Sequence, residues 1–511
     1  MTDRPTSDPL PGPNRPSASN CCDGFSRSQA IRRVLAAGRA PVDREWDPRM
    51  PTPAGVRIDR RQLLLGATGG LLSVYGAGRL GLTDRVLGDG IAQAAALQSS
   101  TSPILVSVFL QGGVDSLALL GPAGDPTYET LRPTLAVPAT SGLSLREEPS
   151  LYWHPSASSF SQLHNAGRMT VIPGIGYTDP DMSHFTSRHY WEVGVTDAGL
   201  ETGWLGRYLD VVGSPTNPFQ GLSLDGQMNP TLATAKSPVA AIDQPDNFSM
   251  YITGVWGDAF EWAMDSASSL GDGQRHSHDP AIAQVAQAAS EVGIVRSTLK
   301  PFVNAKGGPA YTSPVTYPTS GDSDFPQRLA GLAAMIAAGV PLRCVALTTD
   351  TQFDTHSAQV GTFDPGIKLA ADSLAAFQAD LEARGIADRV LVHVWSEFGR
   401  RAQENGSDGT DHGAAGTGLL IGSRVAGGML GEFPSLGNLD VNGNQVENVD
   451  YRGVYSSLLE QWFDQDAAAV IPDARSFPRY QLLGTGAVTT TSTTATTTTP
   501  TPTLPLGLNR P

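Results

Sequence analysis

The segment Arg389–Gly422, RVLVHVWSEFGRRAQENGSDGTDHGAAGTGLLIG, decides the fold. Its apolar run Val390–Trp395 reads as a buried strand of a parallel sheet, where both faces are covered and hydrophobicity is continuous. Ser396 and Glu397 stand at the carboxyl end of that strand. A polar, glycine-rich loop carrying Asp411 and His412 follows, and a second apolar run, Gly418–Ile421, closes the unit. Open α/β sheets place ligands at the carboxyl ends of their strands, so charged groups at such an end point to a site.

Other segments repeat the pattern. Ile104–Leu110 is a β-branched run that predicts a first strand, ended by Gln111-Gly112-Gly113-Val114-Asp115. Met169–Ile175 predicts a second strand, leading to Ser183 and His184, where Ser183 has the chemistry of a helix N-cap. Arg343–Leu347 predicts a third, delivering Asp354 and His356. Helical patterns cover Trp204–Val212, Ile282–Leu299, Arg328–Ala338, Leu369–Ala383 and Tyr451–Phe463. Strand–helix alternation implies an α/β fold, a mainly parallel sheet with helices on both faces, over 102–480. Residues 213–325 alternate short apolar runs with Pro, Gly and Asp and read as an inserted cap.

Composition narrows the function classes. With 511 residues the chain can bury a large core, and its formal net charge of -15 argues against a nucleic-acid partner. Of its 3 cysteines, Cys21 and Cys22 lie near the start and Cys344 sits in an apolar run, so no metal-type cysteine spacing exists. Residues 1–57 have a disorder-prone composition. Arg60-Arg61 precede a short apolar, glycine-rich run within 58–96, the pattern of a twin-arginine export signal, too short and glycine-rich to span a membrane. Translation from Met50 would place these arginines near the start. Ala92, Ala94 and Ala96 offer cleavage points, and the Thr/Pro tail over 487–511 is expected to be disordered.

Side by side, the strand ends present Asp115, Ser183 with His184, Asp354 with His356, Glu397, and Asp411 with His412. Two histidines with several carboxylates suit a divalent cation, Zn²⁺ or Mn²⁺ by donor type. Asp354 and His356 are two apart and share a side in an extended segment. Asp411 and His412 are adjacent and point apart, so one ligates while the other supports it. Turn chemistry at Asp115 and a simple cap at Ser183 stand as the plainer alternatives.

The series FLQGGVDSLALL (109–120), YETLRP (128–133), SHF (183–185), FDTH (353–356), SEFGR (396–400) and GTDHG (409–413) resembles a bacterial family of twin-arginine-exported proteins of unassigned function. That family is distantly similar to the alkaline phosphatase and sulfatase superfamily. The resemblance implies an alkaline-phosphatase-like sheet and an exported protein, periplasmic, wall-associated or secreted. It implies a divalent metal (Zn, Mn or Ca) held by Asp115, Asp354, His356, Glu397, Asp411 and His412. Ser183 would be the nucleophile, and Arg188 would add charge. The implied substrate is a phosphate or sulfate ester, a small anionic ester or a polysaccharide. Phe398 departs from the superfamily pattern, because it cannot bind a metal and removes a nitrogen ligand from a second site. The alternative is a non-catalytic exported binding or scaffold protein on the same fold.

Overall fold

The computed structural model describes residues 102–248 and 257–484, with the backbone of a two-residue strand at Val74–Tyr75. The twin arginines, the alternative start, the cleavage points and the Thr/Pro tail lie outside these residues.

The strands used below are β1 (Ile104–Phe109), β2 (Met169–Gly176), β3 (Gly221–Ser223), β4 (Val239–Ala241), β5 (Cys344–Thr348), β6 (Val390–Trp395), β7 (Arg400–Glu404), β8 (Thr410–His412) and β9 (Gly416–Ile421). Across the main sheet the order is β4-β3-β5-β1-β6-β9-β2. Val74–Tyr75 pairs antiparallel with β4. Pairing is parallel from β4 through β6, and β9 runs antiparallel to both β6 and β2. The carboxyl ends of β1, β2, β5 and β6 therefore share one rim, and β9 begins there.

Both faces of this sheet are buried. Along β1, Ile104, Val106 and Val108 enter one core, while Leu105 and Phe109 enter the other. In β6, Val390, Val392 and Val394 alternate in the same way with Leu391 and Trp395. Period-2 alternation between two apolar layers is what makes these strands read as unbroken hydrophobic runs. One layer holds α1 (Ser158–Asn165), α6 (Phe325–Ala337) and α7 (Val360–Ala383); the other holds α2 (His184–Val193), α3 (Trp204–Val212) and α8 (Tyr451–Gln461). Within each core, full burial of one large side chain contributes roughly 1.5–3 kcal/mol.

Three expectations change. β3 and β4 lie inside 213–325, so part of that segment belongs to the sheet and not to a cap; strands of three residues are too short to show periodicity. Further along, the segment carries a helical hairpin, α4 (Gly257–Gln274) and α5 (Pro280–Leu299). The polar loop after β6 is a two-stranded antiparallel sheet, β7 with β8, in which Arg400 faces His412. Buried charged residues take the inward positions there, which conceals a strand from hydrophobic pattern. α7 starts at Val360, nine residues before the predicted Leu369, and carries Pro365 within it.

Candidate metal centre

The rim begins with two glycines. Gly112 and Gly113 have φ of +105° and +68°, and a Cβ on Gly113 would lie 2.3 Å from the Phe398 ring. Only glycine combines that backbone with that approach. Their amides donate to Glu397, at 3.0 Å from Gly112 to Oε1 and 2.9 Å from Gly113 to Oε2. Glu397 is buried, which opposes ionisation, yet the hydrogen bond and charge of His184, with the Gly113 amide, hold its carboxyl below the usual range.

Three histidines meet at this point, each steered by its Nδ1. His184, the first residue of α2, directs Nδ1 to Glu397 Oε1 at 2.8 Å. His412, on β8, donates from Nδ1 to the Met182 carbonyl at 2.8 Å. His356, on the loop after β5, turns Nδ1 to Asp411 Oδ1 at 3.4 Å. A carbonyl accepts only, so in neutral His412 the proton is on Nδ1 and the Nε2 lone pair is left facing the site.

All three Nε2 atoms close on Asp354. His356 Nε2 lies 3.0 Å and His412 Nε2 3.2 Å from Oδ1, and His184 Nε2 lies 3.3 Å from Oδ2. His356 and His412 place their Nε2 atoms 3.0 Å apart. Ligating atoms of His184, Asp354 and His412 all fall within 4.8 Å of one another. His184 Nε2 is buried and faces Asp354. Lone pairs so crowded need a proton or a cation between them. Burial disfavours the His184 imidazolium, but Asp354 and Glu397 outweigh that and push its pKa up to about 9. The bare centre thus holds a proton that a cation would displace.

The donors fit such a cation. In octahedral sites with bonds of about 2.1–2.2 Å, neighbouring ligand atoms sit about 3.0–3.1 Å apart, close to the spacings around Asp354 Oδ1. Three imidazoles with one carboxylate favour Zn²⁺ or Mn²⁺; Ca²⁺ prefers an all-oxygen set.

Beneath Asp354 lies Arg400, with its side chain fully buried. It donates to Asp354 Oδ1 at 2.8 Å and to the carbonyls of Gly113 (2.7 Å), Thr410 (2.9 Å), Phe353 (3.2 Å) and Gly112. Burial would raise the Asp354 pKa, but hydrogen bonds from His184, His356, His412 and Arg400 hold it far below the carboxylate range.

The structure brings together Asp354, His356 and His412, with Asp411 behind His356 and Glu397 behind His184. Asp115 stands one step away. Its carboxylate caps Ala118 N (3.2 Å), pairs with Arg132 (2.6 Å) and accepts from Gln359 (2.6 Å). Gln359 in turn accepts from the hydroxyls of Thr355 (3.0 Å) and Thr410 (2.7 Å), neighbours of His356 and Asp411. Asp115 therefore braces the loops that carry the histidines. Ser183 caps α2, its Oγ accepting from the Thr186 amide at 3.5 Å. Arg188, one turn on, pairs with Glu192 at 2.7 Å and lies over the Phe109 ring at 4.7 Å. Phe398 packs its ring against His184 and His412, at centroid distances of 4.9 and 4.7 Å. His184 is the principal residue missed as a ligand. Its signal was its place immediately after Ser183, where a strand end meets a helix start.

No curated protein matches the chain. Among solved structures it is similar to a protein of the alkaline phosphatase superfamily from Vibrio parahaemolyticus, at 10% identity over 81% of this chain and 76% of that one, TM-score 0.30. A sulfatase from Pseudoalteromonas sp. shows 12% identity over 78% of each chain, TM-score 0.30. A phosphonate monoester hydrolase from Silicibacter pomeroyi shows 14% identity over 74% and 75%, TM-score 0.31. Residues 180–452, which contain all three histidines, Asp354, Glu397, Arg400 and Asp411, match the family described as protein of unknown function (DUF1501), and the chain belongs to that family.

Proposed function

We propose that the protein is an exported, metal-dependent hydrolase of phosphate or sulfate esters, acting on an anionic ester that is a small molecule or part of a polysaccharide. One observation carries the reading: three histidines, each with Nδ1 turned to a carboxylate or carbonyl, aim Nε2 at a single carboxylate, Asp354. Histidine rings so steered form a cation-binding arrangement more than a stabilising one. Asp354, His184, His356 and His412 would hold the cation, while Glu397, Asp411 and the Met182 carbonyl fix the rings. When bound, the cation supplies Lewis acidity and charge at the ester oxygen. Arg400 keeps Asp354 in place and ionised. Amides at the start of α2, beside Ser183, offer donors to an anionic oxygen. Arg188, engaged with Glu192, supports α2 and is given no part in binding.

The test is metal analysis of the purified chain with a phosphatase and sulfatase screen. About one equivalent of Zn²⁺ or Mn²⁺ per chain and turnover lost in His356→Ala are expected. A metal-free, inert protein whose His356→Ala variant is equally stable rejects the reading.

A second reading, a non-catalytic exported binding protein, is favoured by Ser183 acting as a helix cap and by Phe398 filling the space beside two histidines. It expects ligand binding that survives Ser183→Ala and no turnover. Export is tested by fractionation: Arg60→Lys with Arg61→Lys should retain the protein in the cytoplasm.

A further inference from the structure

Among the described residues, the three guanidinium groups that pack into or beside the rim, Arg400, Arg132 and Arg188, are engaged. Arg400 gives its N–H groups to four backbone carbonyls and Asp354. Arg132 is equally buried and divides its donors among Asp115 (2.6 Å), the Ala402 carbonyl (2.9 Å) and the Arg401 carbonyl (3.0 Å). Arg188 is paired with Glu192. The next arginine along β7, Arg401, is exposed, and its charge acts on Asp440. Of the four lysines, Lys368 is paired with Asp372, and Lys236, Lys300 and Lys306 are exposed with no contact to the cluster's side chains.

Charge then limits what the centre accepts. Asp354, Glu397 and Asp411 carry three negative charges against one positive charge from Arg400, and Asp115 is cancelled by Arg132. With neutral histidines, one divalent cation brings this set to neutrality and leaves no surplus positive charge. A singly charged ester meets the cation with its one charge. A dianion brings a second charge beside three carboxylates, with no side-chain cation of the rim left to receive it among the described residues.

We propose that the centre selects esters bearing one negative charge, phosphodiesters and sulfate monoesters, over phosphate monoester dianions. This rests on the hydrolase reading above and names its substrate class. In the reaction, water adds to phosphorus or sulfur and the bond from that atom to the ester oxygen breaks. The proton lost by the water ends on the departing alcohol.

The experiment uses the full chain loaded with Zn²⁺ or Mn²⁺ at pH 8. kcat/KM is measured for bis(4-nitrophenyl) phosphate, 4-nitrophenyl sulfate and 4-nitrophenyl phosphate, each divided by its uncatalysed rate. The singly charged esters should exceed the monoester by about 100-fold or more. In parallel, calorimetry compares dimethyl phosphate with methyl phosphate, and the former should bind at least about tenfold tighter. A monoester turned over as well as the others, or methyl phosphate bound as tightly, overturns this selectivity while the hydrolase reading stands. No cleavage of any ester, with dimethyl phosphate still preferred, removes the hydrolase reading and retains the selectivity as one of binding. Binding of neither phosphate overturns the proposal.

Discussion

Two histidines in this molecule, His184 half-buried and His393 fully buried, are driven in opposite directions. His184 at the rim is pushed up to about 9, because Asp354 and Glu397 outweigh the burial that opposes its charge. His393, in the middle of β6, is pushed down to about 3 by burial alone. It packs against the Tyr455 ring at 5.5 Å, and neither ring nitrogen has a hydrogen-bond partner. Carboxylates split the same way. Asp354 has three histidines and Arg400 around it and stays ionised. Glu291, buried in α5 of the helical hairpin, has burial raising its pKa to about 8, against which the Gln287 hydrogen bond does little. Loss of solvent opposes charge at all four; the partners decide the outcome. The rim is therefore where the fold sustains buried charge, and the sheet interior and hairpin are where it suppresses it.

The largest expected effect comes from Asp354→Asn. It removes the common target of three histidines and leaves Arg400 buried without its counter-charge. Metal affinity should fall by more than about 1000-fold, and stability by about 3–5 kcal/mol, as for a broken buried pair. Metal analysis and denaturant unfolding measure both; a variant that keeps its metal and its midpoint denies the centre described here.

Next come the two neutralised groups, which should give stability opposite pH limits. For Glu291 the folded pKa, about 8, lies above its ordinary 4.5. The folded state binds more protons between these values, so stability is full below about pH 4.5 and is lost as pH rises towards 8, on the order of 4 kcal/mol. His393 falls from 6.5 to about 3. Here the unfolded state binds the proton, so stability is present above about pH 6.5 and lost on acidification towards 3, again on the order of 4 kcal/mol. Thermal unfolding from pH 4 to 9 should show Glu291→Gln losing the alkaline decline and His393→Phe losing much of the acid decline. Unchanged limbs would mean that water reaches these groups.

A smaller effect is expected from Glu397→Gln, which keeps an oxygen for the Gly112 and Gly113 amides but removes the charge steering His184. Metal affinity should fall about 10- to 100-fold, read by competition with a chelator. Equal affinity would show that His184 needs no steering. Smallest is Ser183→Ala. As a helix cap it should cost about 1 kcal/mol and leave metal content unchanged; a turnover loss beyond about 1000-fold at constant stability would restore Ser183 as nucleophile.

Much of this rim was legible in the sequence, because long-range convergence followed from one rule about where parallel strands deliver their loops. Asp354, His356 and His412 could be placed together from that rule alone. What it could not distinguish was ligand from support. Position at a strand end marks Glu397 as a ligand, yet it grips the back of His184; it marks Asp115 likewise, yet Arg132 and Gln359 take its oxygens. Those roles depend on which atom faces the centre, and that is set by backbone turns at Gly112 and Gly113 and by a helix start at His184. The β7–β8 pair was hidden because its inward residues, Arg400 and His412, are polar. Within 213–325 the strands were too short to carry a period.

Arg400 has one more consequence. Its acceptors come from three separate stretches of chain, at 112–113, 353–354 and 410. The guanidinium acts as a permanent internal ion that assembles the cavity before any metal arrives. Chelation should therefore empty the protein without melting it, and loading should be a reversible event on a finished scaffold.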